Sequence, residues 1–140
     1  MIEVRQDKDL RQHDLEQLYM AKGQSRYESR FGELHKAVIA SDYLITAWSD
    51  EQLTGILRSS GDGAFTQYIS DFIVHPDFRS QGIASSLMDT YLEAVAHVDE
   101  IYLFFQNSGP NTFTGTWLAY RGFSEIKGGS VPFIYLRKKA

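Results

Sequence analysis

The 140-residue chain has no cysteine. That excludes disulfides, thiolate metal ligands and an acyl-cysteine intermediate. It also has no long basic run: 14 Lys and Arg stand against 18 Asp and Glu, for a net charge of −4. The closing Arg137-Lys138-Lys139 is short and reads as a solvated tail, so nucleic acid is not an expected partner. No apolar run has the length of a membrane span, and the start, Met1-Ile2-Glu3-Val4-Arg5-Gln6-Asp7, turns polar too soon for a signal peptide. The expectation is a cytoplasmic protein without a membrane partner. No grouping of side chains suggests a metal site. Proline is scarce, at three residues, so Pro76 and Pro110 are clear punctuation.

What is present fits one globular domain over 1–140. Hydrophobic residues make up 43% and charged residues 23%, which suits a folded core rather than a disordered chain. Ile2 to Val4 alternates with charge and reads as a first strand. Leu10, Leu15, Leu18 and Tyr19 recur at helical spacing within Asp9 to Lys22, and Gly23 stops them. After a polar, aromatic stretch from Gln24 to Gly32, a second helix is expected over Glu33 to Ala40. Tyr43 to Trp48 and Gln52 to Arg58 read as a hairpin across Ser49-Asp50-Glu51. A turn at Ser59 to Gly63 leads to a long strand, Phe65 to Val74. Ile83, Leu87, Met88, Tyr91, Leu92 and Val95 then place one apolar stripe on a helix over Gly82 to Ala96. Ile101 to Phe105 is a buried strand, Thr112 to Arg121 a shorter helix ended by Gly122, and Phe133 to Leu136 a closing strand. This order gives an α/β (α+β) domain with a mixed, largely antiparallel sheet flanked by helices.

The segment Arg79-Ser80-Gln81-Gly82-Ile83-Ala84 carries the chemistry. It follows the long strand, which His75-Pro76 must end because proline cannot donate to a ladder, and it opens the strongest helix. The first amides of a helix have no partner inside it and attract anions. Gly82 and Ala84 leave that backbone bare, and Arg79 adds a permanent positive charge, so a diphosphate is the expected ligand. No Walker lysine or full Rossmann fingerprint competes.

Ile73 to Ala84 resembles the acyl-CoA signature of the GNAT acyltransferase superfamily, Gln/Arg-x-x-Gly-x-Gly/Ala. Asn111 and Trp117-Leu118-Ala119-Tyr120-Arg121-Gly122-Phe123 resemble its later Asn and Phe-Tyr-x-x-x-Gly-Phe. The order of elements agrees over nearly the whole chain, and the stretches Ser41 to Gly55 and Ser60-Gly61-Asp62-Gly63 before Tyr68-Ile69-Ser70-Asp71 are similar to small bacterial amine acetyltransferases. The resemblance implies acetyl-CoA as cosubstrate. Ile73 and Val74 would present backbone groups to the acyl carbonyl and the pantetheine arm. The amides of Ser80, Gln81, Gly82, Ile83 and Ala84 would hold the pyrophosphate, beside Arg79. Asn111 would bond the pantetheine arm, although a turn or helix cap after Pro110 explains it equally well. A homodimer is compatible with the resemblance.

Proton handling departs from the family pattern. An alkylamine with a pKa of about 10.4 needs about 4–5 kcal/mol to lose its proton at neutral pH, so a base or a water chain is useful. Aligning on Gly122-Phe123 puts Leu118 where relatives often carry an acidic tyrosine, and Tyr120 is turned away from that position by roughly 200°. On the long strand, Tyr68 and Ser70 match positions from which relatives draw the base, and Asp71 is the nearby carboxylate. Alternation sets Asp71 on the face opposite Tyr68, Ser70 and Phe72. Asp71 and Tyr68 are the catalytic candidates, with a supporting role in the fold as the alternative for Asp71. Tyr27, Phe31 and Phe72 are expected to wall the acceptor pocket, with Arg26 and Arg30 near it. The implied activity is direct acetyl transfer to a primary amine of a small molecule. A non-catalytic acyl-CoA sensor, and a peptide or protein N-acetyltransferase, are the alternatives.

Overall fold

The computed structural model describes residues 1–104, 115–126 and 134–139. They fall into two compact units, 1–59 with 71–96, and 60–70 with 97–140.

In the first unit, β1 (Ile2–Arg5) pairs antiparallel with β2 (Tyr43–Ser49), and β2 pairs antiparallel with β3 (Gln52–Gly61). The hairpin turns at Asp50, whose φ is 53°. Two helices lie between β1 and β2. Helix α1 (Gln12–Tyr19) is shorter than the apolar spacing predicts. Its start is set at Arg11, whose backbone N–H donates to the Asp14 carboxylate at 2.8 Å. The Asp14 carboxylate also takes Arg11 Nη2 at 3.0 Å. Residues before it are held in a separate turn, where Asp7 accepts the Asp9 N–H at 3.0 Å.

Helix α2 (Phe31–Ala40) begins earlier than predicted, because Phe31 is itself buried and the Leu34 N–H reaches the Arg30 carbonyl at 3.0 Å. Leu15, Leu18, Phe31, Leu34 and Val38 close over Leu44, Trp48, Leu53 and Ile56 of the hairpin. Each such buried side chain contributes roughly 1.5–3 kcal/mol of transfer free energy.

Helix α3 (Ile83–Ala94) packs on the other face of the hairpin. Gly55 adjoins Ile56 and so points away from the α1–α2 layer. A Cβ on Gly55 would lie 2.8 Å from Ile83 Cγ2 and 3.0 Å from Leu87 Cδ1. The missing side chain is what lets the start of α3 approach the strand this closely. The Tyr91 ring meets Tyr43 edge-on at 6.2 Å further along.

Strand β4 (Thr66–Val74) contributes to both units. In the second, its first half pairs parallel with β5 (Glu100–Phe104), from Thr66 opposite Glu100 to Ile69 opposite Leu103. Antiparallel pairing then joins β5 to β7 (Ile134–Lys138) and β7 to β6 (Phe123–Ile126), with α4 (Gly115–Tyr120) ahead of β6. The seven strands form a mixed sheet in the order β1-β2-β3-β4-β5-β7-β6. Strand β6 is not expected from the sequence. Phe123-Ser124-Glu125-Ile126 has one buried residue and three exposed ones, too weak a pattern to mark a strand after Gly122. Strand β3, expected to end at Arg58, runs on to Gly61. Among the described residues, no helix is long and apolar enough to cross a membrane, and no group of three or more His, Asp or Glu is placed to hold a metal.

Candidate active site

The strand-to-helix connection is built from short-range bonds. The His75 N–H donates to the Thr54 carbonyl of β3 at 2.8 Å, which fixes the end of β4. His75 Nδ1 then accepts the Asp77 N–H at 3.1 Å and caps the single 3-10 turn Pro76–Phe78. Beyond that turn the chain is left-handed twice, at Ser80 (φ 66°) and at Gly82 (φ 76°). Left-handed residues within a turn tip neighbouring N–H groups into an anion-binding concavity.

Gly82 is the N-cap of α3 and has no side chain to satisfy the helix's leading amides. The first turn of α3 carries no acidic residue, and the first helical bond is Ser86 N–H to Gly82 C=O at 3.0 Å. The space beyond Gly82 is open: a Cβ there would meet nothing within 4 Å. Arg79, Ser80, Gln81 and Gly82 are exposed, Ala84 is half-buried, and Ile83 is buried against Gly55 as an anchor. Lys22, just past α1, is a further cation here: burial, and then the charge of Arg79, lower its pKa. Positive charge beside bare helix amides suits an anion.

Ile73 and Val74 are half-buried at the end of β4. Among the described residues, the last β4–β5 pair is Ile69 opposite Leu103, ahead of both.

Asp71 sits at the centre of a buried cluster. Its Oδ2 accepts Arg58 Nε at 2.6 Å and the Tyr19 hydroxyl at 3.1 Å. The Tyr27 hydroxyl lies 3.3 Å from both carboxylate oxygens. Arg58 Nη2 reaches the same hydroxyl at 3.4 Å. Only 9% of Asp71 and 9% of Arg58 is exposed, so the pair is almost dry and its bonds are charge-assisted. Burial works to lower the Arg58 pKa, but the Asp71 charge and hydrogen bond outweigh it and leave the guanidinium above its ordinary value. Burial, followed by the Asp71 charge, pushes the Tyr19 phenol well above its usual range.

Arg58, Tyr19 and Lys22 are not singled out by the sequence pattern. Arg58 leaves a signal: a charged residue closing the buried run Leu53 to Leu57 requires a buried partner. Tyr19 is concealed within the apolar stripe of α1.

Of the expected acceptor-side residues, Tyr27 joins this cluster. Its ring meets Tyr19 edge-on at 5.5 Å, and the Arg26 guanidinium lies over it at 4.5 Å. Phe31 is part of the α1–α2 apolar cluster, and Phe72 is 9% exposed on β4. Arg30 is committed to Glu33, with Nη2 to Oε2 at 2.5 Å.

The second unit holds the remaining candidates. Tyr68 is 44% exposed and stacks on Tyr102 with centroids 5.2 Å apart. Burial along β4 follows the expected alternation: Gln67, Ile69 and Asp71 are buried, whereas Tyr68 and Ser70 are exposed. Leu118 is fully buried in α4, and Tyr120 is 88% exposed. Trp117 is half-buried under Arg121, whereas Trp48, in the first unit, is core, with Nε1 bonded to Thr46 Oγ1 at 2.8 Å. Asn111 lies outside the described residues.

The central strand of the mixed sheet thus ends in a short turn, an exposed loop with two left-handed residues and a helix start that no side chain caps. The sequence profile of the Acetyltransferase (GNAT) family matches residues 8–112, and the chain belongs to that family of acyl-CoA-dependent N-acetyltransferases.

A GNAT-family acetyltransferase from Streptococcus pneumoniae TIGR4 is 26% identical, with TM-score 0.72, over 89% of this chain and 88% of that one. The ribosomal-protein-S18-alanine N-acetyltransferase from Escherichia coli shares the fold at TM-score 0.78 and 10% identity, over 99% of this chain and 94% of that one. An aminoglycoside 6'-N-acetyltransferase complexed with coenzyme A does so at TM-score 0.77 and 13% identity, over 97% and 96%. A search of curated protein sequences returned no match.

Proposed function

We propose that the protein transfers acetyl from acetyl-CoA directly to a primary amine of a small molecule, with the CoA diphosphate held on Arg79 to Ala84. The observation that carries this reading is the left-handed pair Ser80 and Gly82 ahead of an uncapped α3. Bare amides, an exposed Arg79 and the neighbouring Lys22 fit a diphosphate in charge and in shape. The end of β4 fits the pantetheine arm, because Ile73 and Val74 lie on an extended strand directly ahead of the loop and an extended ligand can bond such backbone as a strand would.

In this reading the amine nitrogen attacks the thioester carbonyl carbon, a tetrahedral intermediate forms, and the C–S bond then breaks. The proton lost by the amine passes to solvent, and the CoA thiolate takes one back. Tyr68 is the solvent-exposed candidate on β4, and its hydroxyl suits ordering a water in that relay better than acting as a base itself. A small acceptor is favoured by the compact α1–α2 connection, residues 20–30, which lacks the length of a peptide-docking insertion. The family fold serves small and protein acceptors alike, as the aminoglycoside and ribosomal-protein enzymes illustrate.

The test is CoA-thiol release from acetyl-CoA with a panel of small amines alongside peptides bearing free N-termini. Turnover of small amines with inert peptides is the expected result. Peptide-only turnover overturns the acceptor, and acetyl-CoA binding with no turnover of any amine supports a sensing domain instead.

A further inference from the structure

We infer that Asp71 is a positioning residue: its carboxylate tethers Tyr27, and with it the α1–α2 connection, to β3 and β4, and it does not collect the amine proton. The inference deepens the proposed function and rests on it only for the identity of the acceptor side.

An ionised carboxylate offers about four lone-pair sites. At Asp71 they face Arg58 Nε at 2.6 Å, the Tyr19 hydroxyl at 3.1 Å, and the Tyr27 hydroxyl at 3.3 Å from each oxygen. A proton on either oxygen would neutralise the carboxylate and leave the buried guanidinium, which cannot itself give up charge, without its counter-ion. Three donors thus serve the carboxylate: Arg58 and Tyr19 on Oδ2, and the Tyr27 hydroxyl, whose one proton lies between the two oxygens.

Among the described residues, the connection is otherwise held by local bonds and by the packing of Met20 and Tyr27 on the core. Its backbone bonds are local: Glu28 N–H to Ser25 C=O at 3.2 Å and Arg30 N–H to Tyr27 C=O at 2.8 Å. Ser25 Oγ accepts the Tyr27 N–H at 3.1 Å. Ser29 is left-handed at φ 67°, and the residues around Tyr27 are mostly exposed. Tyr27 is the residue of this segment that reaches the buried cluster, with its ring on Tyr19 and its hydroxyl on Asp71. Asp71 stands two residues before Ile73 on the same strand. The tether thus sets the distance between the acceptor-side segment and the strand end assigned to the thioester.

Hydrogen exchange on the full-length protein reads the tether without needing an acceptor. Tyr27→Phe is expected to raise exchange at the Glu28 and Arg30 amides about tenfold, to leave α3 protection unchanged, and to keep the thermal shift given by acetyl-CoA. Asp71→Asn should reproduce the loop exchange, and the double variant should add little to either single one. With any amine that turns over, Tyr27→Phe should raise its KM about fivefold or more, with kcat much less affected and the acid limb of the pH profile in place.

Wild-type exchange in Tyr27→Phe overturns the inference. So does an Asp71→Asn variant that folds and loses kcat and the acid limb while Tyr27→Phe behaves as wild type. Failure of acetyl-CoA to shift the wild-type melt refutes the proposed function instead, and the exchange result still decides the tether.

Discussion

Arg58 Nε donates to Asp71 Oδ2 at 2.6 Å, joining β3 to β4 through a pair that is nine-tenths buried. Removing one partner strands the other charge in a dry site. Arg58→Met is expected to cost about 3–5 kcal/mol, and adding Asp71→Leu should restore part of that loss. Urea unfolding of the single and double variants checks it. The restoration is partial because Tyr19 and Tyr27 also lose their acceptor.

Gly55 is held to glycine by α3. Gly55→Ala brings a methyl to 2.8 Å from Ile83 Cγ2, and the Ile73 carbonyl oxygen 3.4 Å away limits any shift to the side. The expected loss is about 1–3 kcal/mol by denaturant melt, accompanied by weaker acetyl-CoA binding because Ile83 anchors the loop.

Asp14 makes the start of α1 sensitive to pH. Burial pushes its carboxyl up, but the Arg11 side-chain and backbone bonds and the Arg11 charge outweigh it, so its pKa lies below the ordinary value. A depressed acid stabilises the fold above its unfolded pKa, and the gain disappears as pH falls through the folded pKa. Asp14→Asn should therefore be less stable than wild type at pH 7, by about 0.5–2 kcal/mol. The two proteins should converge below pH ~3, as measured by melts across that range.

The β4–loop–α3 unit is legible in the sequence because its signals are local: a proline stop, a glycine at a helix start and an apolar stripe. Those features act on neighbouring residues, so reading along the chain finds them. The Asp71 cluster draws on α1, the α1–α2 connection, β3 and β4, joining Tyr19, Tyr27, Arg58 and Asp71. No local spacing encodes such a meeting. Alternation on β4 sets Asp71 apart from Tyr68, and the burial pattern agrees, but it cannot show that Arg58 occupies the carboxylate. Strand β6 escapes for the opposite reason: its pairing with β7 is supplied by the partner strand rather than by its own composition.

Leu118 is fully buried, and a phenol at this position would have to enter a packed site larger than leucine fills. Leu118→Tyr is expected to cost about 1–3 kcal/mol through overpacking and to bring no rise in kcat. Thermal melts and the thiol-release assay together check this. A faster enzyme of unchanged stability would mean that the site accepts the missing acid.

The proposed function depends first on Arg79 to Ala84 binding the CoA diphosphate. The most direct measurement is the acetyl-CoA-induced melting shift of wild type, Gly82→Ala and Gly82→Glu. Both variants share the strain of a side chain at φ 76°, but only glutamate puts a negative charge into the open space in front of α3. Wild type is expected to gain about 3 kcal/mol of stabilisation at a hundredfold excess over Kd, Gly82→Ala a smaller shift, and Gly82→Glu none. A wild-type melt that ignores millimolar acetyl-CoA, or a Gly82→Glu shift equal to that of wild type, would contradict it.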